Sequence, residues 1–372
     1  MEAHPPAALF PILPTQPVGM ARLAAQATHA DDGHLITFRA MRAKSLLNRS
    51  LSKRNLSLEW SINPYRGCEF ACRYCYARYT HEFMELRDPA SFEREIFVKE
   101  NAAWLLRQEL RQVRPGEEIA IGTATDPYQP IERKLGVTRS ILEVLATQHG
   151  LEIGIVTKSA LVVRDIPLLR RIAAHNDLVL HLTITTPDAA LARILEPRAP
   201  RPDLRFGAVQ QLRSAGLRAG ILCSPLLPGI TDTGRALDTM AAAAARVSAS
   251  FLSAQPLFLK PCSKETYLGF IRQHFPRLED SYRRRFESDA FVAKPYADRV
   301  RALVRAACRK HRLAERDSDA LLTRELGSSA STPAPQLFAV ADLLRKPPSS
   351  ASICATGAAP PGTRPPYASS IH

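Results

Sequence analysis

Residues 63–78 read NPYRGCEFACRYCYAR, with cysteines at 68, 72 and 75 in the spacing C-x3-C-x2-C. Thiolates this close can wrap an iron–sulfur cluster in one loop, each binding a different iron. A four-iron cube held by three cysteines keeps one iron open to a small chelator, whereas four cysteines would close it. The competing reading is zinc, with His81 completing a Cys3His set. The C-x3-C-x2-C-x5-H spacing fits common zinc fingers poorly, and Cys223, Cys262, Cys308 and Cys354 are too scattered to add a second pair.

Outward from this segment, short apolar runs alternate with stretches of helical period. Strands are expected at 58–64, 117–124 (EEIAIGTA), 151–158 (LEIGIVTK), 178–186 (LVLHLTITT), 217–225 (LRAGILCSP) and 249–257 (ASFLSAQPL). Helices are expected over 91–113, from a cap at Thr138 to about 149, and over 163–175, 203–215 and 234–247. Such alternation implies βαβ units around a parallel sheet, and six units imply an open, partial (β/α)6 barrel. Each strand ends in polar or Gly/Pro-containing sequence, where α/β barrels place their chemistry.

The flanks read differently. Residues 1–54 are expected to form a flexible arm, basic between Arg39 and Arg54, either packing on the domain or touching phosphate. The barrel is assigned to 55–260 and a helical, basic C-terminal extension to 261–326. A disordered Pro/Ser/Ala-rich tail is assigned to 327–372. The chain has 372 residues, 45% of them hydrophobic, which is enough for a sizeable core. No apolar run approaches the ~20 residues of a membrane helix, and no secretory signal is read, so the expected location is the cytoplasm. Seven cysteines with three inside one octet point to metal binding in a reducing compartment rather than a disulfide framework. A formal charge of +14 favours contact with nucleic acid or another polyanion.

At these residues the chain resembles the radical S-adenosylmethionine (SAM) superfamily, in the branch containing spore photoproduct lyase. The resemblance covers about 55–260 and rests on INPYRGCEFACRYCYAR, on TATDPYQPIE (123–132), on TKS (157–159), on LTITT (182–186) and on LEPRAP (195–200). It implies a [4Fe–4S] cluster on Cys68, Cys72 and Cys75, with SAM chelating the open iron. It also implies reductive cleavage of SAM to a 5′-deoxyadenosyl radical that abstracts hydrogen from a substrate, nucleic acid among the candidates. A reductant such as flavodoxin or ferredoxin is implied as partner. By the same resemblance Tyr76, Thr125, Lys158, Thr183 and Ser224 contact SAM. Glu196 and Arg198 are left as either a polar pair over the cofactor or an ion pair fixing a loop. One departure stands out: Thr123 occupies the place of the lyase's hydrogen-donating cysteine, which argues against photoproduct repair. The alternative function is a non-catalytic nucleic-acid-binding protein with a structural iron–sulfur or zinc site.

Overall fold

The computed structural model describes residues 18–33, 35–49 and 58–314. Eleven strands are found among them: β1 (Thr28–Gly33), β2 (Ile36–Met41), β3 (Leu47–Arg49), β4 (Leu58–Ile62), β5 (Tyr65–Arg66), β6 (Glu95–Lys99), β7 (Glu118–Ile121), β8 (Glu152–Thr157), β9 (Asp177–Thr183), β10 (Arg218–Leu226) and β11 (Leu252–Pro256). The fold is mixed α/β. Its main sheet has the order β3-β4-β7-β8-β9-β10-β11. From β4 to β11 every neighbouring pair is parallel, and each strand lies beside its predecessor in the sheet. Only β3, at the edge, runs antiparallel.

This order follows from what each segment must bury. Strands covered on both faces carry unbroken apolar runs, and all four residues of β7 (EIAI) are buried. Helices Ala102–Glu109, Val137–Leu145, Ile166–Ala173, Pro202–Ser214 and Gly234–Arg246 connect successive strands. Their apolar faces join Ile119, Ile121, Ile153, Ile155, Leu180, Leu182 and Ile221 in one continuous interior. Parallel strands linked by helices leave all their carboxyl ends on one side, where loops are free to build a site.

The expected strands appear, most of them shortened by a few residues and β10 shifted by one, and the connecting helices fall where the helical period placed them. Three expectations are corrected. The helix read over 91–113 is interrupted by β6, whose EIFVK pairs in parallel with β2 and antiparallel with β5. The arm read over 1–54 contains a helix, Gly19–Ala25, and strands β1, β2 and β3. Its Phe38, Met41, Leu46 and Leu47 are buried, because β2 joins the smaller sheet β1-β2-β6-β5 and β3 extends the main one. Thr138 does not cap its helix: Gly136, at φ +62°, occupies the N-cap, and the Thr138 hydroxyl donates to the Pro127 carbonyl.

As far as residue 314, the C-terminal extension contains helices Pro261–His274, Glu279–Arg285 and Lys294–Lys310. Its Tyr267, Leu268, Phe270, Ile271, Tyr282 and Phe286 pack in one apolar cluster with Cys68, Phe70, Cys72 and Tyr74. The extension therefore supports the cysteine loop. The tail read from 327 lies outside the described residues. No helix among the described residues is long and apolar enough to cross a membrane.

Candidate active site

The cysteine loop leaves the carboxyl end of β4. Its first turn needs Gly67, at φ +83°; a Cβ there would stand 2.8 Å from the Phe92 carbonyl oxygen and 2.9 Å from that of Glu95. The close approach lets Cys68 N donate to Phe92 O at 2.9 Å. Replacing Gly67 with alanine is expected to cost about 1–3 kcal/mol of backbone strain, lowering both the melting temperature and the iron content after reconstitution. Wild-type values of both would contradict this account of the turn.

The segment 123–132 clamps the loop from the next strand. The Thr125 hydroxyl donates to Gly67 O at 2.6 Å. Gln129 Nε2 donates to Thr125 Oγ1 at 3.2 Å, while Gln129 Oε1 accepts from Glu69 N at 3.0 Å. Glu69 Oε1 in turn accepts from Ile131 N at 2.7 Å. Asn63 reaches across as well, donating to Thr123 Oγ1 at 3.2 Å and accepting from Ala124 N at 2.8 Å. Asp126 accepts from Thr157 Oγ1 at 2.6 Å and Lys158 N at 2.7 Å, which binds the β7 loop to the end of β8.

The second half of the loop is held from β9 and the helices after it. Arg73 N donates to Leu195 O at 2.9 Å. Tyr74 OH donates to Glu196 Oε1 and lies 3.0 Å from Thr185 Oγ1. Glu196 is paired with Arg205, Nη2 to Oε2 at 2.5 Å, both side chains only 1% exposed. Arg205 also donates to Thr183 O at 3.1 Å and Pro200 O at 2.7 Å. Arg78 completes the frame, with Nη2 donating to Cys72 O at 3.2 Å and to Glu93 Oε2 at 2.6 Å. Of the two alternatives for LEPRAP, Glu196 belongs to an ion pair that fixes a loop. Its partner is Arg205; Arg198 instead donates to Glu93 O at 3.2 Å.

Cys68 and Cys72 are buried, Cys75 is half-buried, and all three are free thiols. Burial pushes the Cys72 thiol up to about 12, with Lys158 opposing, and raises Cys68 well above its ordinary value. Each cysteine feels the others' charge or that of Lys158. Lys158 stands with its Nζ 5.7 Å from the Tyr74 ring centroid. Burial works to lower its pKa, but Cys72 and Glu196 beside it hold it above the usual lysine value.

The expected residues are placed as follows. Tyr76, next to Cys75, donates through its hydroxyl to Thr123 O. Thr125 and Lys158 lie at the ends of β7 and β8 as described. Thr183 is buried at the end of β9, and Ser224 Oγ, on β10, accepts from Gln255 N at 3.1 Å. His81 is turned to other work: its Nε2 lies 2.9 Å from Glu95 O, its ring packs on Phe92 and Phe97, and burial lowers its pKa to about 4. Among the described residues no three His, Cys, Asp or Glu side chains converge on one ion. A mononuclear zinc centre requires that convergence. With His81 bonded elsewhere, three free thiols on one loop are left as donors, a set that suits an iron–sulfur cluster in which each thiolate takes its own iron. Sequence reading missed Glu69, Gln129, Arg78 and Arg205. Gln129 lay inside a quoted motif, whereas Arg205, in the first turn of its helix, carried no signal.

Residues 62–243 match the sequence model of the Radical SAM superfamily. An uncharacterised protein of Mycobacterium tuberculosis is 33% identical over 282 residues, covering 75% of this chain and 82% of that protein. An uncharacterised protein of Methanocaldococcus jannaschii is 30% identical over 174 residues, 47% of this chain and 62% of that one. Among solved structures, a spore photoproduct lyase variant superposes with TM-score 0.57 at 14% identity, covering 75% of this chain and 81% of that chain. The lyase complexed with dinucleoside spore photoproduct gives 0.56, at the same identity and coverage. These last two matches concern the fold alone. With the sequence match falling on the strands and loops that gather the three cysteines, the chain belongs to the radical SAM superfamily and is an enzyme of that class.

Proposed function

We propose that Cys68, Cys72 and Cys75 hold a [4Fe–4S] cluster at the open top of a partial (β/α)6 barrel. SAM would occupy the remaining iron, and a nucleic acid would be the hydrogen donor. The observation that carries this reading is three free thiols on one loop, two buried and one half-buried, beside an ammonium group at the carboxyl ends of the parallel strands. When bound, the cluster and SAM supply reductive C–S cleavage, giving methionine and a 5′-deoxyadenosyl radical. The chain's own residues position and shield the chemistry. Lys158 offers a cation to a carboxylate such as that of SAM. Tyr76, Thr183 and Ser224 would contribute further contacts to SAM. The Thr125 hydroxyl, already donating to Gly67 O, acts on the cofactor by fixing the loop or through its second lone pair.

Two observations favour nucleic acid: the formal charge of +14 and the fold shared with a lyase crystallised with a dinucleoside. Thr123, bonded to Asn63 and to the Tyr76 hydroxyl, supplies no thiol. The outcome for the substrate is therefore proposed to differ from photoproduct repair. The electron would come from a flavodoxin or ferredoxin. The test is anaerobic reconstitution with iron and sulfide, then SAM and dithionite. 5′-Deoxyadenosine and methionine are expected by mass spectrometry. A fully loaded protein that forms neither would exclude the radical reading and leave a structural metal site.

A further inference from the structure

The smaller sheet carries positive charge on its outer face. Along β6, Ile96 and Val98 face the main interior, while Phe97 packs on the opposite side with Ala24, Met41 and Met84. Alternation puts Glu95 and Lys99 on that outer face as well. Register adds Arg39, opposite Phe97 from β2, and Arg66, opposite Phe97 from β5. Arg39 is paired with Glu95 at 3.5 Å. Arg66 and Lys99 remain. They are diagonal neighbours on adjacent antiparallel strands, a relation that sets Cα atoms roughly 7–8 Å apart.

Neither cation has an acid of its own. Lys99 is 3% exposed, and among the described residues its ammonium makes no hydrogen bond or ion pair. The acid whose field reaches it is Glu109, and Glu109 Oε2 is already accepting from Leu46 N at 2.9 Å and Leu47 N at 2.7 Å. Arg66 Nε is buried without an acceptor. Arg66 Nη2 reaches the sulfur of half-buried Met20 at 3.5 Å, and a thioether is a weak acceptor. Charges this deep are ordinarily paired. A lysine can shed its proton instead, and burial beside Arg66 does push the Lys99 pKa down to about 7. An arginine has no such escape.

We propose that Arg66 and Lys99 form a site for a dianionic phosphate group, either free phosphate or a terminal phosphomonoester, with the Met20 side chain standing over its entrance. The proposal does not depend on the radical reading. Two adjacent cations are balanced by one dianion, whereas a carboxylate or an internal phosphodiester brings a single negative charge. A tetrahedral group also suits the geometry. Two of its oxygens take the guanidinium fork, and a third takes the ammonium from the diagonal position. Binding exchanges a thioether for a charged acceptor. Because Arg66 directly precedes Gly67 and Cys68, an occupied site steadies the strand from which the cysteine loop departs.

The test is calorimetric titration of the reconstituted full chain under anaerobic conditions, in HEPES at fixed ionic strength. The ligands are inorganic phosphate, AMP, a 5′-phosphorylated oligonucleotide, the same strand with a 5′-hydroxyl, and acetate. At least one phosphate-bearing ligand is expected to bind about tenfold or more tightly than acetate, and the 5′-hydroxyl strand should not displace it. Inorganic phosphate binding tightest identifies the free ion; AMP or the phosphorylated strand binding tightest identifies a nucleotide or a strand end. Arg66→Met and Lys99→Met should each weaken that binding by about tenfold or more. Each removes an unpaired buried charge, so each should fold and melt at or above the wild-type temperature without phosphate. With saturating phosphate, wild type alone should gain melting temperature. Arg170→Met, on an exposed position of another helix, is the control and should bind as wild type does. Absence of phosphate binding, acetate binding as tightly, unchanged affinity in both Arg66→Met and Lys99→Met, or equal weakening by Arg170→Met would each overturn the site.

Discussion

Replacing Cys72 with alanine is expected to remove the iron–sulfur absorbance and reduce 5′-deoxyadenosine formation to background. Losing a residue that merely orients a metal ligand costs about 10–100-fold, so losing a ligand should cost at least roughly 100-fold. Cys72 is the central member of C-x3-C-x2-C, and its neighbourhood is committed to holding it. Arg78 binds its carbonyl, Arg73 N bonds to Leu195 O, and Lys158 stands by its sulfur. No other thiol can replace it without moving the loop. Cys308→Ala is the control, since Cys308 packs in the main interior beside Val304 and Ala307, and it should retain full iron. A Cys72→Ala enzyme that keeps its iron and cleaves SAM would refute the ligand assignment.

Arg205→Leu should be the most damaging substitution outside the cysteines. It strands the Glu196 carboxylate, which is 1% exposed, without its guanidinium. Breaking a buried pair from one side costs about 3–5 kcal/mol, which in a chain of this size lowers the melting temperature by about 10 °C. Glu196→Gln combined with Arg205→Met removes both charges and should recover part of the loss. The pH dependence has a definite sign. Burial would raise the Glu196 pKa, but Arg205 and then Lys158 hold it below its ordinary value of 4.5. Its folded value is thus lower than its unfolded one. The stabilisation is complete above about pH 4.5 and is lost as pH falls through the lower, folded value. Thermal melts from neutral to acid pH should show wild type losing stability more steeply at the acid end than Arg205→Leu. Parallel curves, or a variant as stable as wild type, would contradict the role given to this pair.

The parallel sheet was legible because its strands are apolar on both faces and its helices have a clean 3.6-residue period. The cysteine motif was legible because its spacing is chemistry in one dimension. The smaller sheet was not. β6 is five residues between two helices, and its EIFVK can be continued in the helical phase of either flank. β2 lies in a stretch whose arginines and lysines suggested an arm, while Phe38 and Met41 become interior only when β6 arrives from 58 residues away. At the site, LEPRAP drew attention to Glu196 but offered Arg198, two residues on, as its partner. The helix Pro202–Ser214 instead turns Arg205 inward, a three-dimensional fact that local sequence does not carry. Likewise Thr125 was matched to a cofactor role, and its hydroxyl proton proves to be spent on Gly67.

The cysteine loop is secured from two directions, and these become available at different moments in the life of the chain. The hydrogen bonds that grip residues 67–69 come from partners between Phe92 and Ile131. The hydrogen bonds that hold residues 73 and 74 come from Thr185, Leu195 and Glu196, with Arg205 behind Glu196. Since a ribosome releases the amino end first, a nascent chain short of Thr185 presents a half-anchored pocket. The pocket is thereby completed only after more than half of the polypeptide has emerged, and its last wall, the helices that pack on Cys68 and Cys72, comes later still.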